Sequence, residues 1–303
     1  MNKFLLTVIL ALGFSCANSA PIEFTVMHAT GGVSDIVTRF ITKEIPDKNY
    51  IVVNRPGAAG KIAISHMISN SSIMLATMPQ VFVTNPLNFS DLGHDPQKDL
   101  EVIATIGVMP SALVCNIKTG ISTFKEFQTT AKRLSFGVGG YGSSEHLATE
   151  VLISRSLVKH LVVPYSQGGS TSVNDLLGGH IDCMFGNYPT LRSFTSHPNL
   201  RLIMTSHNMG LNAPSWDSVY KEQFPFQSYL SVIAPTTMDS TTKKKIANDL
   251  LLAFQQPNFK LSLQELGVFP YSSTALTDIQ RSLKTNDAIK KFIIDNNVKV
   301  SNQ

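Results

Sequence analysis

Two glycine-rich turns hold the residues whose types and spacing suit ligand chemistry in this chain. One occupies residues 27–35 and reads Met-His-Ala-Thr-Gly-Gly-Val-Ser-Asp; the other occupies residues 137–146 and reads Gly-Val-Gly-Gly-Tyr-Gly-Ser-Ser-Glu-His. Each follows an apolar extended pattern and precedes a helical one, so it would present backbone N–H groups at the positive end of a helix dipole. That geometry suits a carboxylate or a phosphate. Two such turns predict a binding protein that holds a small anion from both sides.

The second turn also has the spacing of a dinucleotide-binding fingerprint. Gly137, Gly139 and Gly142 give the pattern G-x-G-x-x-G between a strand pattern and a helix pattern. That fingerprint expects an acidic residue at the end of the next strand, where it holds the ribose. The next strand pattern leads into Tyr165 without an acid, and the match lies in the middle of the chain. The sequence therefore disfavours dinucleotide binding.

Three polar residues at the same helix start raise the alternative of a hydrolase. Ser143, Ser144 and His146 are close in sequence, but residues at this spacing rarely aim a hydroxyl at an imidazole. No G-x-S-x-G elbow precedes them, and no orienting carboxylate is apparent. A serine that caps the helix explains the pattern without chemistry. We therefore expect no catalytic residue.

Short apolar runs alternate with amphipathic helical patterns along the chain, which is typical of βα units. Strands are predicted at residues 22–27, 50–53, 73–77, 112–117, 134–138, 161–164, 181–185, 201–205 and 230–234. Helices are predicted at residues 35–45, 59–69, 122–132, 144–157, 171–177, 241–255, 258–266 and 276–296.

The length of the chain suits two lobes, and no low-complexity linker separates them. Strands must therefore cross between the lobes, and the segments 112–117 and 230–234 are the best candidates. Two crossings predict an α/β fold with a discontinuous first lobe, residues 21–109 and 232–303, and a continuous second lobe, residues 110–231. Each lobe is expected to be a mixed, mostly parallel sheet flanked by helices.

The first twenty residues have the pattern of a secretory signal. Lys3 precedes a short apolar core at residues 4–14, and small residues follow up to Ala20. Lipoprotein processing at Cys16 is the alternative, but residues 13–15 fit its usual pattern poorly. Nothing later in the chain is apolar over the length of a membrane span. The sequence predicts an exported, soluble mature protein.

Charge and cysteine content weigh against several classes of site. Removal of the signal takes away Lys3 and no acid, so the formal net charge falls from +4 to +3. The single basic run, residues 243–245, is explained better by a solvated helix face than by a nucleic-acid site. Cys115 and Cys183 lie in strand patterns, and an oxidising compartment permits either a disulfide or two buried thiols. No spacing of cysteine and histidine resembles a metal site.

Five short motifs occur in an order that resembles a known family. They are Gly31-Gly32-Val33-Ser34-Asp35, Asn54-Arg55-Pro56-Gly57-Ala58-Ala59-Gly60, Gly142-Ser143-Ser144-Glu145-His146-Leu147-Ala148, Val163-Pro164-Tyr165, and Asp175-Leu176-Leu177-Gly178-Gly179 with Met184-Phe185. Together they resemble the extracytoplasmic substrate-binding proteins of tripartite tricarboxylate transporters, the Bug family. The resemblance runs from about residue 22 to the C-terminal helices, and it depends on the order of the motifs more than on any single one.

The resemblance implies a two-lobed, type II periplasmic-binding-protein fold that closes on its ligand like a Venus flytrap. Such proteins bind small organic acids, mostly di- and tricarboxylates, in the periplasm and deliver them to a membrane permease of one large and one small subunit. We accordingly expect a monomer without catalysis, cofactor, metal or nucleic acid. The alternatives are a ligand sensor uncoupled from transport and an enzyme that acts on a small carboxylate.

Site residues are implied by the resemblance, position by position. It assigns ligand contacts to Ala29, Thr30, Gly31, Gly32, Gly142, Ser143 and Ser144. Asp35 and His146 are assigned to support of the two turns. For Asp35 the reason is that an acid that faced the ligand would repel a carboxylate. Ligand identity is expected to depend on the loops at residues 78–85, 166–171 and 187–190.

Two departures from the family pattern add candidate ligand residues. His28 lies where the family usually has a Pro-aromatic-x-Pro sequence, so it is expected at the rim of the pocket, where its charge would depend on pH. Asn187 stands near a position where many members carry an acid, and its amide is expected to donate to a ligand oxygen.

Overall fold

A computed structural model describes residues 20–45, 49–165, 169–273 and 276–300 of the chain. The strands are β1 (Ile22–Val26), β2 (Tyr50–Asn54), β3 (Ile73–Thr77), β4 (Leu100–Met109), β5 (Ser111–Asn116), β6 (Ser135–Val138), β7 (Leu161–Pro164), β8 (Cys183–Asn187), β9 (Leu200–Thr205), β10 (Ser228–Pro235) and β11 (Phe269–Ser273). Each of the nine predicted strands overlaps one of them. The predicted signal at residues 1–20, except Ala20, and the first half of the loop at 166–171 lie outside the described residues.

Helices follow most of these strands. They are α1 (Val33–Glu44), α2 (Lys61–Ser69), α3 (Asn85–Asn88), α4 (Pro96–Asp99), α5 (Phe124–Thr129), α6 (Ser144–Ile153), α7 (Gly169–Gly178), α8 (Tyr188–Leu191), α9 (Trp216–Tyr220), α10 (Ser240–Phe254), α11 (Phe259–Glu265) and α12 (Leu276–Asp295). A π-helical turn at Gln80–Thr84 leads into α3. Among the described residues, no helix has both the length and the apolar character that crossing a membrane requires.

The strands form two separate mixed sheets. The first sheet has the order β11-β4-β10-β3-β1-β2, and the second has the order β7-β6-β8-β5-β9. The two sheets contain more antiparallel strand pairs than mostly parallel sheets were predicted to contain. The reason is that β5, β10 and β11 run opposite to their neighbours. β5 and β10 are the strands that begin just after the chain has passed from one sheet to the other, which explains their reversed direction.

The chain passes from one sheet to the other twice, and the two passages lie beside each other. β4 leads into β5 through Pro110 alone, and β9 leads into β10 through residues 206–227. Met109 pairs with Ser228, so the two passages are adjacent at the edge of the first sheet. Ser111 pairs with Asn187, the last residue of β8, so the passage enters the second sheet at the carboxyl edge of its parallel strands.

The sequence analysis missed strands β4 and β11. β4 is buried along most of its length, so it lacks the alternation that marks a half-buried strand. Its pairing with β11 requires a glycine, since a Cβ on Gly107 would come within 2.5 Å of the carbonyl oxygen of Phe269. Only the approach of a strand more than 150 residues later explains that glycine.

The last helix packs against the cores of both sheets. Leu283 of α12 packs against the core cluster that contains Met78 and Phe82 of the first-sheet side. Ile289 and Ile293 belong to the core cluster of the second sheet. The predicted lobe boundaries stay predictions; β10 pairs with the first sheet along its whole length, from Ser228 onward.

The structure joins Cys115 of β5 to Cys183 of β8 in a disulfide. The two residues are opposite each other in the antiparallel pair, and both are fully buried. The sequence left a disulfide and two free thiols as alternatives, because the register between β5 and β8 is a long-range property. The bond closes a loop of 68 residues, which limits the conformations of the unfolded chain.

We expect Cys115→Ala combined with Cys183→Ala to lower the free energy of unfolding by about 2–4 kcal/mol, because the unfolded chain gains the entropy of the open loop. Thermal or urea unfolding of the oxidised protein measures the loss. Reductant should destabilise the wild type and leave the variant unchanged. Equal stability of the two oxidised proteins would contradict the stabilising role.

Candidate functional site

The first glycine-rich turn connects β1 to α1 at the carboxyl edge of the first sheet. Gly31 has a φ of +87°, which favours glycine over residues with a side chain. Gly32 is the N-cap residue of α1, and it has no side chain with which to cap the helix. The first amides of α1 therefore keep the free donor character of an uncapped helix start.

A buried carboxylate fastens this turn from within. Asp35 accepts the N–H of Gly31 at 2.9 Å through Oδ2, and its Oδ1 accepts Asn54 Nδ2 at 2.9 Å and Arg39 Nε at 3.0 Å. Asp35 and Arg39, one turn apart in α1, thus form an ion pair. Asn54 also donates to the carbonyl of His28 at 3.0 Å, which ties the end of β2 to the turn. Burial opposes ionisation of Asp35, but these hydrogen bonds together hold its pKa below the usual value.

His28 lies on the exposed side of the same turn. Its Nδ1 is 2.8 Å from the hydroxyl of Ser34 in the first turn of α1, so Nε2 is left for other partners. The side chain is exposed, yet the protein that surrounds it lowers the pKa of His28 by desolvation. The neutral imidazole is the favoured form at neutral pH.

The second glycine-rich turn connects β6 to α6 at the carboxyl edge of the second sheet. Gly140 and Gly142 have φ values of +105° and +75°. Ser143 is the N-cap of α6, and its Oγ accepts the N–H of His146 at 3.1 Å, so the predicted capping role of a serine is confirmed. Ser144 follows as the first helical residue and is mostly buried.

His146 supports this turn, and its imidazole makes no hydrogen bond to a serine hydroxyl within the described structure. Its ring is fully buried, and Nδ1 accepts the N–H of Gly142 at 3.0 Å. Nε2 lies 3.4 Å from Glu150, one turn further along α6, and the ring of Tyr141 packs edge-on at 5.3 Å. Because Nδ1 is the acceptor for Gly142, the imidazole serves the backbone and not an activated nucleophile.

Four of the residues that the resemblance assigned to a ligand use their amides inside the turns. The N–H of Gly31 donates to Asp35 and that of Gly142 to His146. The N–H of Gly32 donates to the carbonyl of Ala29 and that of Ser143 to the carbonyl of Gly140, each at 3.2 Å. The remaining residues of that set are Ala29, Thr30 and Ser144. Of these, Ala29 and Thr30 are exposed. Donors to a ligand must therefore come mainly from the helix starts, the hydroxyl groups and His28.

Asn187 has a protein partner in the described structure. Its Nδ2 donates to Glu145 Oε1 at 2.9 Å, and the expected donation to a ligand oxygen stays a prediction. Glu145 is a residue that the sequence analysis missed. It lies in the first turn of α6, within the motif already quoted. The sequence signal that could have found it is an acid at the start of a helix that was expected to bind an anion.

The topology brings both turns and Asn187 to the strand edges where the passages between the sheets occur. β1 ends at the first turn, β6 ends at the second, and β8 ends at Asn187 beside Ser111. In the described ranges, no group of three or more histidine, cysteine, aspartate or glutamate residues could hold a metal ion. The arrangement therefore suits a small polar ligand held by dipoles and hydroxyl groups.

Comparison with known proteins supports a receptor. The family model described as tripartite tricarboxylate transporter family receptor matches residues 38–299. A protein of Cupriavidus necator described as a UPF0065 protein in the gbd 5′ region is 27% identical over 267 residues, covering 83% of this chain and 80% of its own. Protein BugT of Bordetella pertussis is 24% identical over 234 residues, with 72% of each chain covered.

Solved structures share the fold. The periplasmic binding protein BugD superposes with a TM-score of 0.77 at 20% identity, covering 92% of this chain and 98% of its own. An R. palustris protein solved with adipate has a TM-score of 0.77 at 20% identity, and the match covers 93% of this chain and 98% of that protein. MatC from Rhodopseudomonas palustris with bound malate has a TM-score of 0.74 at 18% identity, and the match covers 90% of this chain and 98% of MatC. The predicted fold class, two helix-flanked α/β sheets as in periplasmic binding proteins, is confirmed.

We expect Asp35→Asn to lower the free energy of unfolding by about 2–3 kcal/mol at pH 7, because an amide cannot accept from all three donors. The folded pKa of Asp35 lies below that of the unfolded chain, about 3.9. Its stabilisation is therefore complete above about pH 4 and is lost as the pH falls through the folded pKa. Thermal unfolding from pH 7 to pH 3 should show the melting temperatures of wild type and variant converging. Asp287→Asn, at an exposed position of α12, is the control. A difference in melting temperature between wild type and Asp35→Asn that stays constant across this pH range would contradict the assignment.

Proposed function

The chain belongs to the tripartite tricarboxylate transporter receptor family, and from this premise we propose that it is an extracytoplasmic solute-binding protein that captures a small carboxylate between two lobes. The observation that carries the proposal is the position of the two glycine-rich turns. Each connects a strand to a helix start at the edge where the chain passes between the sheets. The related structures with adipate and malate support a carboxylate as the ligand class.

Anion binding in this proposal depends on the two helix starts. α1 begins without a side-chain cap, and its first amides point along the positive end of the helix dipole. α6 begins beside the hydroxyl groups of Ser143 and Ser144. A di- or tricarboxylate would receive these donors from both sides, with Thr30 and His28 Nε2 at the rim of the first turn. Fixed dipoles can hold such an anion without an arginine.

The lobes proposed for closure are residues 21–109 with 232–303, and residues 110–231. The single residue Pro110 and the adjacent start of β10 form the connection about which such lobes would move. Helix α12 contacts both cores and would accompany the motion. Closure would surround the ligand with protein and exclude water, which strengthens each hydrogen bond to a carboxylate.

The cellular role in this proposal is delivery to a membrane permease with one large and one small subunit. The mature chain would act in the periplasm as a monomer after removal of residues 1–20, and anchoring through Cys16 is the alternative. The family is a receptor class, and the structure ties His146 to the backbone of its own turn. We therefore propose binding without catalysis.

The experiment uses residues 21–303 and measures melting temperature against mono-, di- and tricarboxylates, followed by calorimetry with the acids that shift it. A ligand that binds only the folded state stabilises it by about 2.7 kcal/mol at a concentration of 100 Kd. Ser143→Ala combined with Ser144→Ala should weaken the best acid at least about tenfold, the scale of lost hydrogen bonds to a charged group.

The matched control is Thr123→Ala, which removes the N-cap of α5 in the same part of the chain. Loss of a cap costs about 1 kcal/mol of stability in either helix, so affinity alone distinguishes the two variants. Absence of a shift with every acid would reject carboxylate binding. Unchanged affinity in the double serine variant would reject the second turn as a contact.

A further inference from the structure

Glu145 is held in a defined position at the edge of the second sheet. Its side chain lies across the end of β8, where a Cβ on Gly186 would come within 3.2 Å of Glu145 Cγ. Asn187 Nδ2 donates to its Oε1 at 2.9 Å. The missing side chain at Gly186 makes room for the acid, and Asn187 fixes its direction. The carboxylate is therefore a built feature of the edge where the proposed ligand binds.

The described residues around Glu145 do not include a cation that pairs with it. Among the described residues it forms no ion pair, and the protein around it raises its pKa by desolvation. Hydrogen bonds from Ser143 and Asn187 act in the opposite direction and favour the charged form, as does its place in the first turn of α6. A crowded carboxylate without a positive partner is unfavourable until a cation approaches it.

Asn187 adds a second acceptor at the same place. Its Nδ2 must be the atom that faces Glu145, because only the amide nitrogen can donate to a carboxylate. The carbonyl oxygen Oδ1 is enclosed by protein and accepts no hydrogen bond from the described residues. An enclosed acceptor without a donor is costly. Asn187 is therefore held at this edge by its bond to Glu145, and Glu145 is the acceptor of the pair that a ligand can reach.

We propose that Glu145 and Asn187 select ligands that carry an ammonium group beside the carboxylate, so that the solute is an amino acid and not a plain dicarboxylate. The inference rests on the proposed function, since the helix starts still hold the carboxylate. A plain dicarboxylate would bring a second negative charge towards Glu145, and no cation of the described chain offsets that repulsion. An ammonium group donates to Glu145, which Asn187 holds in place, and supplies the missing positive charge.

The test compares acids that differ in one substituent. Succinate, malate and aspartate share a four-carbon skeleton with hydrogen, hydroxyl or ammonium at the second carbon; glutarate, 2-hydroxyglutarate and glutamate form the five-carbon set. Calorimetry on residues 21–303 at pH 7.5 gives their affinities. In the set that binds, the amino acid should bind at least about tenfold tighter than the unsubstituted acid, the scale of a hydrogen bond between charged groups.

Glu145→Gln removes the charge and keeps the shape of the side chain. It should abolish the advantage of the amino acid and leave the unsubstituted acid equal or tighter, because the repulsion is gone. Glu222→Gln is the matched control, since it removes an exposed acid that pairs with Arg155 elsewhere in residues 110–231. Glu222→Gln should change neither the affinity for the amino acid nor the affinity for the unsubstituted acid.

The outcomes separate this inference from the proposed function. If succinate, glutarate or their hydroxy forms bind as tightly as the amino acids, the receptor stands and selection by Glu145 is overturned. An amino-acid advantage that survives in Glu145→Gln also overturns the role of this residue. Absence of binding by every acid rejects both proposals. If Glu145→Gln fails to fold, the wild-type order of affinities alone decides.

Discussion

Pairing of Met109 with Ser228 and of Ser111 with Asn187 is the constraint on which the site depends. These pairs place both passages between the sheets at the carboxyl edges of the parallel strands. The same edges are where β1 and β6 turn into helices. Loops at carboxyl ends of parallel strands are the usual place for ligand sites in α/β proteins, since the helix starts there are free to meet a ligand. The registers of these two strand pairs thus place the passages at the edges where the candidate turns lie.

The glycine-rich turns themselves are scaffolds more than ligand contacts. In the first turn Asp35 takes the amide of Gly31, and in the second turn His146 takes the amide of Gly142. In each case a side chain from the first turn of the following helix reaches back to the loop. The bond to Gly142 satisfies a buried backbone N–H that would otherwise be costly, and the bond to Gly31 fixes the more exposed first turn. The donors that remain are those at the helix starts, which the two braces hold at fixed positions.

Electrostatics at the two turns differ in a way that their similar sequences conceal. The acid of the first turn, Asp35, is enclosed by three donors and includes Arg39 among its partners. The acid of the second turn, Glu145, has Asn187 as its amide donor and no cation among the described residues. The first acid has a cation among its partners, whereas the second has an amide donor and no ion pair among the described residues.

The sequence by itself determined the local elements and the order in which they occur. Hydrophobic period and turn residues predicted nine strands, the principal helices and the serine cap of α6, because these depend on neighbours within a few residues. The motif order was sufficient to identify the family that the model match confirms. The same local signals failed for β4, whose buried faces show no alternation, and for β11, whose pairing depends on a distant glycine.

Only the tertiary structure decided the partners of the polar side chains. The pairing of Cys115 with Cys183 follows from the register between β5 and β8, and the bond between Asn187 and Glu145 follows from the packing of α6 on β8. Asn187 was expected to donate to a ligand oxygen because many family members carry an acid near its position, and the local sequence did not reveal Glu145 as its neighbour. Side-chain partners depend on contacts between residues far apart in the chain, and no local pattern encodes those distances.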